Sequence, residues 1–154
     1  MTTQITVKVN GVEHFLDVED DALLLDVLRE KVGTTSVREG CGVGACGACT
    51  VLSGGMSVSS CLALAVRYDG AELTTAEGLD ETDDVVSSFV DCDAAQCGYC
   101  IPGFVLMSRE LLAENARPSE CQITEHLEGN ICRCGTYPEI RKAVAAAAER
   151  RSPR

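Results

Sequence analysis

Residues 41–49 read CGVGACGAC, three cysteines and three glycines in nine positions with no side chain large enough to build a core. Cys61 follows in MSVSSCLAL, and two later pairs occur in QCGYC (Cys97, Cys100) and CRC (Cys132, Cys134). Thiols this dense, on so bendable a backbone, point to a shared bound group rather than to packing. The flanks say what carries the loop. QITVKV alternates Ile5, Val7 and Val9 with polar neighbours, the pattern of a half-buried strand. Asn10-Gly11 is a two-residue hairpin turn and VEHFLDV a returning strand. DALLLDVLREKVG sets Leu24, Val27, Leu28 and Val32 at helical spacing, with Asp20 or Asp21 as the expected N-cap and Gly33 as the stop. TVLSGGMSV predicts a hairpin at Gly54-Gly55, and AELTT a last short strand. Residues 1–76 thus read as a small sheet gripping one helix, an α+β unit with the cysteine loop between helix and hairpin.

Downstream the pattern changes. AEGLDETDD is a linker candidate, assigned to residues 77–84, and residues 80–93 carry six acids and no base. Helical spacing then returns in DVVSSFVD, PGFVLMSRELLAENA, SECQITEHLEG and YPEIRKAVAAAAERR. Pro102 sits where a first helical turn tolerates it, and Pro118-Ser119 restarts a helix. Four helices over 85–154 predict a small bundle. The polyalanine run Ala145–Ala148 reads as a tightly packed helix, and ERRSPR at the end as a solvated tail.

Composition narrows the function. The 154 residues include ten cysteines but only 4% aromatics and no tryptophan, so a bound group is expected to help hold a modest core. A net charge of −11 argues against a nucleic-acid partner, which requires a basic face. MTTQITVKVNG has neither a basic start nor an apolar core, and no apolar run approaches the roughly 20 residues of a membrane span, so neither signal peptide nor span is expected. A cytoplasmic location is expected, where cysteine clusters bind metal more often than they form disulfides.

Cys41, Cys46 and Cys49 have C-x4-C-x2-C spacing with Cys61 downstream, the plant-type [2Fe–2S] pattern. Such a cluster needs two thiolates per iron and backbone N–H groups aimed at its sulfurs. Gly40, Gly42, Gly44 and Gly47 suit the left-handed turns and close approach this requires. Zinc has no need of so many interleaved glycines. Cys97 and Cys100 with Cys132 and Cys134 are less specific. Two pairs at helix ends suit zinc or iron, and the tight C-x-C pair tilts the balance only mildly towards iron. Cys92 and Cys121 read as small buried hydrophobes. His14 and His126 each stand alone, so no nucleophile–base pair can be assembled and no active site is expected on this chain. Gln96, before the second pair, caps a helix or hydrogen-bonds a cofactor edge.

EGCGVGACGACTV with Cys61, DAAQCGYCIPGFVLMSRELL, and LEGNICRCGTYPEIRKAV together resemble the iron–sulfur subunit of molybdenum hydroxylases, the xanthine dehydrogenase and aldehyde oxidoreductase family. The resemblance spans about residues 3–146. It implies a plant-type ferredoxin-like (β-grasp) domain with one [2Fe–2S] cluster on Cys41, Cys46, Cys49 and Cys61. It implies a four-helix domain with a second cluster on Cys97, Cys100, Cys132 and Cys134. A large subunit would hold the molybdopterin cofactor, with Gln96 and Cys134 near its edge, and a medium subunit FAD. Gly98, Tyr99 and the turn at 130–135 would lie against the large subunit. Electrons would pass from molybdenum through both clusters to the flavin, in a heterotrimer or a dimer of heterotrimers. Many members read C-R-C-T-G-Y where this chain reads C-R-C-G-T-Y from Cys132. The exchanged order resembles a subgroup with isoquinoline-type oxidoreductases, some with a haem-bearing outer partner. The rival reading is a free-standing ferredoxin-type carrier with a structural zinc in its helical domain.

Overall fold

The structure is a computed structural model and describes residues 1–151. Five strands form one mixed sheet: β1 (Thr2–Val9), β2 (Val12–Glu19), β3 (Thr50–Ser53), β4 (Met56–Ser59) and β5 (Glu72–Thr74), in the order β2-β1-β5-β3-β4. β1 and β2 pair antiparallel from Thr2↔Glu19 to Val9↔Val12. Asn10 (φ 51°) and Gly11 (φ 84°) make the left-handed turn their sequence predicts, as Gly54 and Gly55 do between β3 and β4. β5 runs parallel to β1 and antiparallel to β3, closing the sheet around the helix in the β-grasp manner.

That helix departs from the expected form. α1 (Leu24–Asp26) widens at once into a π-helical stretch, Val27–Val32, ended by Gly33 at φ 87°. Its N-cap is Leu23, not Asp20 or Asp21, because Leu24 N–H donates to Ala63 O (2.7 Å) across the fold. Asp20 instead accepts from the Thr3 hydroxyl at 2.7 Å. Leu24, Leu25 and Leu28 bury against Val7, Val9, Val51 and Leu73, and Cys49 and Cys61 belong to that same core.

The helical unit comprises α2 (Asp84–Asp91), α3 (Ile101–Glu114), α4 (Glu120–His126) and α5 (Tyr137–Arg151). Asp83 caps α2 by accepting from Val85 and Val86 N–H, and Ser119 with Gln122 forms a capping box on α4. α5 lays Ala143, Val144, Ala147 and Ala148 into a core with Phe104, Leu111, Ile123 and Ile140, shared with Cys100 and Cys132. Its last turn is no free tail: Arg150 pairs with Asp91, and Arg151 with Asp84 at 3.4 Å. The final three residues of the expected tail lie outside the described residues. Cys92 packs on the helical core as expected. Cys121 does not; it is exposed, its thiol 3.4 Å from Glu125, because α4 turns that face to solvent. Among the described residues no helix is long and apolar enough to cross a membrane.

The two units are docked along a polar seam. Glu110 of α3, almost fully buried, accepts from Ser57 N–H of β4 at 2.6 Å. His126 is therefore not alone: its Nε2 lies 3.3 Å from Glu110, though out of hydrogen-bonding alignment. Glu77, inside the expected linker, accepts from Thr35 and Ser36 N–H, each at 2.8 Å. Gly103, in the first turn of α3, sits directly over the cysteine loop, where an added Cβ would lie 2.2 Å from Gly47 O.

Gly103→Ala tests this seam. The alanine gains about 1 kcal/mol of helix propensity, but overpacking against unyielding backbone costs about 1–3 kcal/mol. A net loss of up to about 2 kcal/mol is expected in denaturant unfolding. Gly129→Ala, whose added Cβ meets nothing within 4 Å, should stay within about 0.5 kcal/mol.

Candidate metal centres

The first site is a loop that crosses from the π-helical stretch to β3. Gly42, Gly44 and Gly47 adopt φ of 66°, 72° and 71°, conformations that a Cβ would strain. Gly40, expected to do the same, serves another purpose: a Cβ there would lie 2.7 Å from Cys46 Sγ. The chain so turned aims Val43 N–H (3.5 Å) and Ala45 N–H (3.2 Å) at Cys41 Sγ. Those two donors hold the exposed Cys41 thiol down at about 7. Cys46 lies within hydrogen-bonding reach of Cys41, its own thiol raised by burial first and then by that neighbour. Cys61, on the turn after β4, reaches Cys49 and feels Cys41, and burial pushes it up to about 11. Cys41 with Cys46, and Cys49 with Cys61, therefore form two neighbouring sulfur pairs.

The second site joins the loop before α3 to the turn before α5. The Tyr99 N–H first, and the Cys134 side chain second, depress the Cys97 thiol. Cys100, the residue preceding α3, is pushed up to about 12 by burial and then by Cys132. The helix end does not lower it, so desolvation outweighs the dipole here. Cys132 has burial working against it. The Thr136 hydroxyl, 3.1 Å from its sulfur, and the Thr136 N–H outweigh that burial and bring it to about 7.

The exchanged Gly-Thr order makes that contact possible. Gly135 takes φ 82°, and the next residue, Thr136, turns its hydroxyl inward while 3% exposed. Tyr137 completes the turn by accepting from Cys132 N–H at 2.8 Å.

Each set divides the same way. Cys49 and Cys61, like Cys100 and Cys132, are buried in a core; Cys41 with Cys46, and Cys97 with Cys134, form the surface pair. Among the described residues, no three His, Cys, Asp or Glu side chains converge on a single metal ion. Two sulfur pairs per site is the donor layout of a binuclear iron cluster, one pair to each iron. The N–H groups aimed at Cys41 and the gap at Gly40 fit such a group too.

Between the sites lie residues that spacing did not reveal. Ile131 N–H donates to Cys46 O at 3.0 Å, and the Asn130 amide to Gly47 O at 3.4 Å. Arg38 donates to Gly98 O at 2.6 Å and stacks 5.2 Å over the Tyr99 ring. The Tyr99 hydroxyl in turn donates to Glu39 O at 2.6 Å. Gln96 is exposed, and its side chain has no hydrogen-bond partner among the described residues, so it caps no helix.

Residues 7–74 match the family described as 2Fe-2S iron-sulfur cluster binding domain, and residues 75–145 the [2Fe-2S] binding domain. The nicotinate dehydrogenase small FeS subunit of Eubacterium barkeri is 42% identical over 149 residues, 95% of either chain. The chain belongs to the small iron–sulfur subunits of the molybdenum hydroxylases. The aldehyde oxidoreductase iron-sulfur-binding subunit PaoA of Escherichia coli is 40% identical, across 94% of this chain and 71% of that one. The solved quinoline 2-oxidoreductase from Pseudomonas putida 86 superposes at a TM-score of 0.92 with 39% identity, covering 96% of this chain and 94% of that chain. In the aldehyde oxidoreductase of Desulfovibrio gigas the matching part is 18% of a longer chain, at a TM-score of 0.91 and 38% identity. This small subunit thus carries two [2Fe–2S]-binding domains and transfers electrons within a multi-subunit oxidoreductase whose molybdenum site lies outside it.

Gly40→Ala should block the first site alone. Its Cβ would lie 2.7 Å from Cys46 Sγ, so a Cys46 sulfur holding a metal could not keep its place. Iron content is expected to fall by about half, with the signal of the helical-domain site retained in electron paramagnetic resonance.

Proposed function

We propose that this small subunit links a molybdenum–pterin centre on a large partner to an outer acceptor on another subunit. Cys97, Cys100, Cys132 and Cys134 ligate the cluster nearer the pterin, and Cys41, Cys46, Cys49 and Cys61 the outer one. Residues 1–76 and 85–154 are the two cluster-bearing domains, with 77–84 between them. The observation that carries this reading is the hydrogen bond from Ile131 N–H to Cys46 O, because it joins a proposed ligand of one cluster to the neighbour of a proposed ligand of the other. The bound clusters supply one-electron redox chemistry. The chain's own residues hold the two ligand loops in register, exclude water from the inner sulfur pairs and leave an outer pair of each set at the surface.

The direction is supported by what surrounds each surface pair. Beside Cys97 and Cys134 stand Gln96, with a free amide, and the half-exposed Tyr99 and Ile131. An amide both donates and accepts, which suits a polar pterin rim. Asn130, expected to face the large subunit, is already committed to Gly47, so the proposed contact narrows to Gly98, Tyr99 and residues 131–135. Around the first loop Val43 and, on the turn after β4, Leu62 are instead exposed, apolar contacts for a flavin- or haem-bearing subunit. A heterotrimer, alone or paired, accommodates both faces. Ten cysteines are consistent with the reducing cytoplasm.

The purified complex tests the ligand assignment. Four iron atoms per small subunit and two distinguishable paramagnetic signals are expected, with Cys49→Ser and Cys100→Ser each removing a different one. One signal, or stoichiometric zinc on this chain, would reject the two-cluster reading.

Gln96→Leu tests the direction. The variant should retain both signals but leave pterin-facing polar groups unpaired, at a cost of about 1–3 kcal/mol. Electron transfer from reduced molybdenum to the helical-domain cluster should slow in rapid-freeze experiments, while dithionite reduces both clusters as before. Unaltered internal transfer in this variant, with transfer abolished by changes at Gly42–Ala45, would reverse the cluster order.

A further inference from the structure

We propose that Arg38, a residue of the ferredoxin-like domain, tunes the cluster of the helical domain through the single peptide Gly98–Tyr99. The inference rests on Cys97 being a ligand of that cluster.

The geometry is a two-step relay. Arg38 Nη1 donates to Gly98 O at 2.6 Å. The N–H of that same peptide, that of Tyr99, is the largest influence lowering the Cys97 thiol two positions back. A peptide group is polarised as a unit, so a cation on its oxygen makes its N–H a stronger donor. Stronger N–H···S donation withdraws negative charge from the thiolate and favours the reduced, more negative cluster. Arg38 is held for this task from both sides. Its guanidinium stacks on the Tyr99 ring at 5.2 Å, and the Tyr99 hydroxyl is tied to Glu39 O at 2.6 Å. The side chain is partly buried, where its charge is less screened than in open water.

No other route accounts for the arrangement as economically. The cysteines of the helical set come from residues 97–134, yet the cation that polarises their loop comes from three positions before Cys41. Arg38 is a positioning residue: it touches neither a proposed ligand sulfur nor substrate, and it acts through the backbone. Docking of the two domains therefore does more than set a distance. It delivers to the helical site a charge which that domain lacks at this peptide.

Redox titration of the assembled complex, followed by the separate paramagnetic signals, tests the proposal. Arg38→Met keeps the apolar stem and removes the charge and donor. The helical-domain cluster should become harder to reduce by about tenfold in its redox equilibrium, which is about 59 mV for one electron. The ferredoxin-like cluster should not move. Arg38→Lys, which restores a cationic donor, should bring the potential most of the way back. Tyr99→Phe keeps the peptide relay and should change it little. If Arg38→Met fails to assemble, Arg38→Gln carries the same test with a smaller shift of the same sign. An unchanged potential of the helical-domain cluster, or an equal shift of both clusters, overturns the proposal. Two signals of full intensity in the parent, one of them lost in Cys100→Ser and the other in Cys49→Ser, establish the ligand assignment independently, so failure of the relay is distinguishable from failure of that reading.

Discussion

Two successive carbonyl oxygens, those of Cys46 and Gly47, hold this structure together. A loop built on three left-handed glycines belongs to no helix or sheet, so its polar backbone must find partners elsewhere. The helical domain supplies two of them: Ile131 N–H for Cys46, and the Asn130 amide for Gly47, whose carbonyl also accepts from Thr50. Gly103 lets α3 come down onto the same carbonyl, where any side chain would collide. The docking of the two domains and the shape of the first cysteine loop are consequently one constraint. Neither could be altered without the other.

That seam also explains how sulfur and core are combined. In each site one cysteine pair is buried among apolar side chains, and burial raises Cys61 to about 11 and Cys100 to about 12. The other pair lies at the surface, where backbone N–H groups bring Cys41 to about 7 and depress Cys97. Thiols that resist ionisation in a core become thiolates when a metal cation takes the proton's place, which couples metal binding to pH and to folding. A chain poor in aromatic residues would benefit from such linkage, since four of its cysteines already sit in its two cores.

The Gly135-Thr136 order shows a two-residue exchange changing the chemistry of a thiol without changing the cysteines around it. Glycine first allows the left-handed turn, and threonine second brings a hydroxyl to 3.1 Å from Cys132. That hydroxyl, with the Thr136 N–H, overcomes the effect of burial on Cys132. Relatives with the reverse order would carry their threonine at the position that here requires φ 82°.

The sequence by itself determined the sheet turns, the four later helices and the eight cysteines of the two sets, because each is written in local periodicity, turn chemistry or spacing. Asn10-Gly11, Gly54-Gly55, Gly33 and Pro102 all act where such residues must. Other features were not legible there. Asp20 looked like a helix cap, yet a cross-fold bond from Leu24 to Ala63 set the helix start at Leu23. Cys121 looked like a core residue, and His126 a solitary one, because burial and partnership depend on which helix face meets which strand. Arg38, Glu110 and Asn130 carry no motif for the roles they play. Each acts on a group 53 to 83 positions away in the chain, and such distances close only when the two domains dock. Local chemistry is readable from neighbours in sequence; the seam that joins the two sites exists only in the folded chain.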